Sequence, residues 1–295
     1  MTPPPAARSA LVELLEGLVD FAGLFPPAGL PMRDSVQSYE EYRNGPTAWA
    51  LGRFVVTADR LPEFEEQFVA QYSGGPLWRL SVLAGPGDRL ALHAFNARFE
   101  GRAVVDTVEG KAATVAEVGE LESLAPSFAT YVEIPVANDP APLVVAVGTR
   151  GLRAKVRTGG MTAAAIPSSE HVVRFLAACA VNAVPFKATA GLHHPWRGVY
   201  RLSYDPRSLA AEMFGFLNVF VAACFLREGM SEPDAVSLIE ERDPAAITFD
   251  SAGVHWRGRH LGISRLRVLR SQFATSFGSC SFTEPIADLV AFGLL

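Results

Sequence analysis

Along the chain, short apolar runs of strand length alternate with segments whose apolar residues recur every three or four positions. The runs are LVDFAGL from Leu18, GRFVVTA from Gly52, LWRLSVLA from Leu77, RAVVDTVEG from Arg102, FATYVEIPV from Phe128, GLRAKVR from Gly151, VPFKATA from Val184 and FATSFGSCSF from Phe273. Between them, LPEFEEQFVAQY from Leu61 has helical spacing, and PSSEHVVRFLAACAVN from Pro167 offers Ser168 or Ser169 as a cap ahead of an apolar stripe. Strand and helix thus alternate eight times. Parallel strands need helical crossovers, and eight such units can close a (β/α)8 barrel. A doubly wound open sheet is the alternative, and it would not need eight equivalent strands.

One further segment does not fit that alternation. AAITFDSAGVHWRGRHLG from Ala245 has β-type alternation on both sides of Asp250-Ser251-Ala252-Gly253, the pattern of a hairpin. Together with the helical stretch from about Pro206 to Glu241 it forms an insertion, about 200–262, between the seventh and eighth strands. The insertion contains MFGFLNVFVAACFL from Met213, too apolar to be solvated on every face. We assign the insertion to a lid or a homo-oligomer contact. The expected organisation is one barrel domain over residues 1–295.

Composition narrows the setting. A chain that is 49% hydrophobic and 19% charged can bury a large core and is unlike a disordered one. A net charge of −5 disfavours nucleic acid and anionic membranes as partners. Glu13, Glu16 and Asp20 interrupt the N-terminal apolar region, unlike a secretion signal, and no run reaches the roughly 18 apolar residues of a span. Cys179, Cys224 and Cys280 show no metal or disulfide spacing. A cytoplasmic protein without metal or cofactor is expected.

Active sites of closed barrels lie at the C-terminal strand ends, so polar residues within strands are the candidates. Lys155 is in phase with Arg153 and Arg157, and Lys187 with Thr189. Asp106 interrupts the fourth strand, and Tyr131 and Glu133 share one face of the fifth. Asp106, Glu133, Lys155 and Lys187 are therefore expected to converge in one barrel mouth. Inward charges can also pair purely as a structural network, but burying four of them is costly where apolar packing would serve.

The segment from Arg153 to Gly191 resembles the sixth and seventh strands of the deoxyribose-phosphate aldolase family, class I aldolase barrels. KVRTGG at Lys155 is similar to that family's lysine strand ending in Thr-Ser-Thr-Gly, and FKATAG at Phe186 to its Val-Lys-Ala-Ser-Gly-Gly strand. VVDTVEG at Asp106 resembles its Ile-Asp-Met-Val-Ile-Asn strand, and SFGSCSF its Gly-Thr-Ser-Ser-Gly phosphate loop. The chain departs from the pattern at Leu192-His193-His194, at Phe282 and in carrying the insertion. The resemblance implies that Lys155 forms an imine, Lys187 is its electrostatic partner and Asp106 carries protons. A lysine nucleophile requires a destabilised ammonium, which burial and a neighbouring cation both supply.

Other residues hold two readings each. Arg157 is either an ion-pair partner of Glu133 or a clamp for a substrate carboxylate. Thr158-Gly159-Gly160 and Gly278-Ser279 can offer backbone N–H groups to a phosphate or carboxylate. His193 and His194 can contact an anionic substrate group or transfer protons; as neighbours they cannot both readily turn to one metal ion. Cys280 is a nucleophile or a small buried hydrophobe. Phe25-Pro26-Pro27 is a rigid exit loop or a wall of the pocket, with Asp20 inside the barrel. The expected activity is a Schiff-base, aldolase-like lyase acting on a small anionic carbonyl metabolite. The alternatives are a metal-assisted hydrolase or isomerase using His193, His194, Glu133 and Asp106, and a non-catalytic metabolite-binding barrel.

Overall fold

The computed structural model describes residues 9–295; residues 1–8, the start of the segment read as unlike a secretion signal, lie outside it. Eight parallel strands close a barrel. In chain order they are β1 (Val19–Phe21), β2 (Leu51–Thr57), β3 (Trp78–Leu83), β4 (Ala103–Lys111), β5 (Ala129–Glu133), β6 (Arg153–Arg157) and β7 (Phe186–Thr189), with β13 (Ala274–Ser279) closing the ring between β7 and β1. All eight expected runs are barrel strands. The extra strands follow β7: a hairpin of β8 (Gly198–Arg201) and β9 (Ala210–Met213), then an antiparallel sheet of β10 (Ile247–Phe249), β11 (Gly253–Trp256) and β12 (Arg259–Gly262). The expected hairpin around Asp250–Gly253 joins β10 to β11.

The helices are α1 (Ala10–Leu15), α2 (Met32–Asn44), α3 (Leu61–Gln71), α4 (Arg89–Arg98), α5 (Val115–Leu121), α6 (Ala141–Thr149), α7 (Ser169–Val181), α8 (Phe216–Arg227), α9 (Glu232–Ile239), α10 (Ile263–Gln272) and α11 (Thr283–Ala291). Ser168 rather than Ser169 caps α7, its hydroxyl accepting from His171 N at 3.3 Å. The apolar core lies outside the barrel wall, between strands and helices. Phe54, Phe64 and Trp78 pack there in tilted contact with centroids 5.2–5.9 Å apart.

Helix α8 explains the apolar run within the insertion. Eleven of its twelve residues are buried. Phe220 stacks on Phe186 of β7 at 5.8 Å, Phe216 stacks on Phe277 of β13 at 5.2 Å, and α7 and α9 flank the helix. It thus covers the barrel wall between β7 and β13, where the helix following a seventh strand belongs. Its one buried polar side chain, Asn218, is satisfied by donating to Leu238 O and Glu241 O, both at 2.9 Å.

Candidate active site

Lys187 and Glu109 lie on strands that are not neighbours, yet Lys187 Nζ is 2.5 Å from Glu109 Oε1. They meet through the barrel interior. Lys187 Nζ also lies 2.7 Å from Asp20 Oδ2 on β1. The second oxygen of Glu109 is 2.7 Å from Lys155 Nζ, which is in turn 2.9 Å from Glu133 Oε2. Arg157 Nε donates to Glu133 Oε1 at 3.2 Å. Ser81 and Ser276 complete the set by donating to Glu109 and Asp20 at 2.6 and 2.8 Å. Six charges therefore alternate as Asp20, Lys187, Glu109, Lys155, Glu133 and Arg157.

Burial by itself disfavours the charged form of a carboxylate or ammonium, and an oppositely charged partner favours it. Burial pushes the Glu109 carboxyl up, but the Lys155 and Lys187 ammonium groups hold it well below the usual carboxylate range. Glu133 is likewise held low against burial by Lys155, with Arg157 assisting. Burial lowers Lys187, yet Asp20 and Glu109 raise it above an ordinary lysine. The sequence pattern suggested two ammonium groups repelling each other in a dry pocket. Instead Glu109 stands between them, and Lys187 is fully compensated by two carboxylates.

Asp106 does not join this group. Its carboxylate takes Arg53 Nε and Arg79 Nε, each at 2.6 Å, from the N-terminal halves of β2 and β3. The reason is a bulge. Leu80 pairs with Val105 but Ser81 pairs with Thr107, leaving Asp106 as the extra residue of β4. The bulge resets the alternation, so Asp106 and Glu109, three apart, both face inward, which a regular strand forbids. Glu109 is thus the carboxylate that sequence reasoning missed. Two acids three residues apart on one barrel strand were the available signal.

Above the ion chain lies a cavity of about 630 Å³ lined by Lys155, Glu109, Arg157, Thr189, Gly160 and Gly278, among others. Lys187 and Asp20 sit beneath its floor. Phe25, Pro26 and Pro27 form one wall, and the β8–β9 hairpin supplies Tyr200, Leu202, Tyr204 and Met213. The first part of the insertion therefore roofs the barrel mouth. Glu133 opens instead into an adjoining cleft that shares Arg157 with the main cavity.

His193 and His194 also line the cavity, each engaged by an acid of α11 that sequence reasoning passed over. His193 Nδ1 is 3.0 Å from Glu284 Oε2, and His194 Nδ1 is 2.6 Å from Asp288 Oδ2. The His194 ring stacks on Tyr200 of the hairpin at 3.6 Å. Glu284, held low by His193 and His194 against its burial, also accepts from Tyr204 at 3.1 Å. The imidazoles thus clasp the hairpin to α11 and stand apart from Glu133 and Asp106. Among the described residues, no group of three or more His, Cys, Asp or Glu side chains is arranged to hold a metal.

The expected anion-binding loops are largely spoken for. Thr158 N donates to Thr189 O at 2.9 Å and its hydroxyl to Ala190 O at 2.6 Å. Gly159 is packed back to back with Gly191: a Cβ at Gly159 would lie 2.8 Å from Gly191 Cα, and Gly191 has φ +74°. These glycines let the β6 and β7 exits approach each other. Ser279 is buried, its carbonyl accepting from Ala22 N at 2.7 Å. Cys280 is buried, and burial raises its thiol. The sequence matches no protein-family model and no curated protein.

Proposed function

We propose that the protein is a Schiff-base lyase of the class I aldolase type, acting on an anionic carbonyl compound. The observation that carries this reading is the position of Lys155: a primary amine on a cavity floor, held between two carboxylates. An ammonium has three N–H donors, so two carboxylate partners leave one direction for a carbonyl oxygen. Glu133 Oε2 is buried and has no aligned hydrogen-bond donor, although it lies within charge contact of Lys155. It suits the role of proton acceptor.

A trigger follows from Arg157. Its Nε holds Glu133, while the guanidinium lines the cavity. A substrate carboxylate bound to Arg157 weakens its hold on Glu133, and Glu133 then gains proton affinity. The proton passes from Lys155 to Glu133, and the free amine attacks the carbonyl carbon. The carbonyl oxygen takes that proton back from Glu133; the adduct nitrogen then gives its second proton to Glu133, which passes it to the hydroxyl, and water leaves to give a protonated imine. A carboxylate takes the proton of the substrate's β-hydroxyl, the Cα–Cβ bond breaks with its electron pair drawn toward the imine, and an aldehyde leaves. The enamine left on Lys155 takes the proton at Cα to become an imine again. Water later hydrolyses the imine and restores Lys155. Lys187 stabilises Glu109 from below and touches no substrate.

Reductive trapping tests this. Borohydride with a 2-oxo acid should add the acid's mass, less oxygen, irreversibly to the parent protein and not to a folded Lys155→Met variant. Turnover of a substrate by that variant would contradict the reading.

A further inference from the structure

We propose that this cavity selects an unphosphorylated carbonyl acid with an apolar body, either branched aliphatic or aromatic, in place of a sugar phosphate. The inference rests on the cavity being the substrate site. Where the sequence resembles a phosphate loop, the structure carries negative charge. Glu284 lies in the first turn of α11 and lines the cavity, and its Oε2 is directed at His193 and Tyr204. Two backbone donors at this helix start are also taken. Ser281 N donates to Ser279 Oγ at 3.4 Å and Glu284 N to Ser281 Oγ at 3.1 Å. A phosphate dianion placed here would meet a carboxylate in the first helical turn, where an anion-binding helix terminus offers only N–H donors.

Much of the remaining lining is apolar, although Arg201, Ser203 and the two imidazoles also face the cavity, and Arg201 donates to Ser208 O at 3.1 Å. Phe25, Pro26, Pro27, Met161, Leu202 and Met213 supply the apolar part of the wall. At about 630 Å³ it falls within the ~300–1,000 Å³ of pockets that enclose drug-sized ligands. A three-carbon acid would leave most of that apolar wall facing water. One carboxylate fits Arg157, the carbonyl fits Lys155, and an apolar body fills the space beneath the hairpin.

Calorimetric titration of the full chain with phenylpyruvate, 4-methyl-2-oxopentanoate, pyruvate and glyceraldehyde 3-phosphate tests this. The two apolar acids should bind at least tenfold more tightly than pyruvate, about 1.4 kcal/mol, and more tightly than the phosphorylated aldehyde. Met161→Glu, at a half-exposed wall position, should shrink the phenyl-over-methyl preference at least fivefold. Glu284→Gln should improve binding of the phosphorylated aldehyde several-fold. Equal affinities, or a preference for the phosphorylated compound, would overturn the inference. Borohydride labelling of the same mixtures separates the two proposals. The apolar preference without any label supports this inference and contradicts the Schiff-base reading. A Lys155 label that ignores the size of the body does the opposite.

Discussion

Glu109→Gln removes one charge while keeping the shape of the side chain. In the parent, the carboxylate lies 2.5 Å from Lys187, 2.7 Å from Lys155 and 2.6 Å from Ser81. All three charged partners are at least 95% buried, with Glu109 at 5%, Lys155 at 3% and Lys187 at 1% exposure. The amide can still accept from Lys187, but its NH2 must then face the Lys155 ammonium. Breaking one partner of a buried pair costs about 3–5 kcal/mol, because a charge is left uncompensated. The penalty for burying the carboxylate disappears at the same time, so the loss belongs within that range and not at twice it. At roughly 2 °C per kcal/mol for a chain of this size, Tm should fall by about 6–10 °C. Urea unfolding of parent, Glu109→Gln, Lys155→Met and the double variant measures this. The double variant removes an anion and a cation together, so it should be less destabilised than the sum of the singles by about 1–3 kcal/mol. A Glu109→Gln protein within about 1 kcal/mol of the parent, or strict additivity, would refute the claim that Glu109 compensates two buried ammonium groups.

The other expectations follow from the same contacts. Asp106→Asn should cost only about 1–2 kcal/mol in urea unfolding, because Arg53 can keep its bond to the amide oxygen while Arg79, 56% exposed, turns to water; its borohydride trapping rate should stay within threefold of the parent. Phe220→Ala should cost about 3–5 kcal/mol, since the ring fills space against Phe186 and Phe277; a loss under 1 kcal/mol would contradict the placement of α8. Glu109 and Glu133 bind protons less readily folded than unfolded, so their stabilisation is full well above the unfolded carboxylate value of ~4.3 and fades as pH falls below it. Lys187 has the opposite sign: its contribution is full below the unfolded lysine value of ~10.4 and fades as pH rises above it. Urea midpoints across pH should decline at both ends, and Glu109→Gln should flatten the acid limb.

The barrel was legible because each strand-length run is bounded by a helix-period segment, and closure is what eight such units allow. Lys155, Arg157 and Glu133 were legible for the same reason: β5 and β6 are regular, so alternation places their side chains directly. β4 is not regular. Its bulge hides the equivalence of Glu109 with Lys155, and alternation read without it singles out Asp106. Helix α8 reads as part of an insertion in the sequence because 26 residues separate the end of β7 from its first residue. Only tertiary packing shows that it covers the barrel wall. The acids opposite His193 and His194 lie some ninety residues further along the chain, on α11, and nothing in the local pattern pairs them. A pairing of that kind is set by which loop meets which helix at the barrel mouth.

The central claim is that Lys155 is the nucleophile, with Glu109 and Lys187 compensating charge behind it. Borohydride trapping with phenylpyruvate, followed by peptide mass spectrometry, tests it most directly. The account predicts a reduced adduct on the peptide containing Lys155 and none on that containing Lys187. A label on Lys187, or turnover of a carbonyl substrate with no label on either lysine, would contradict it.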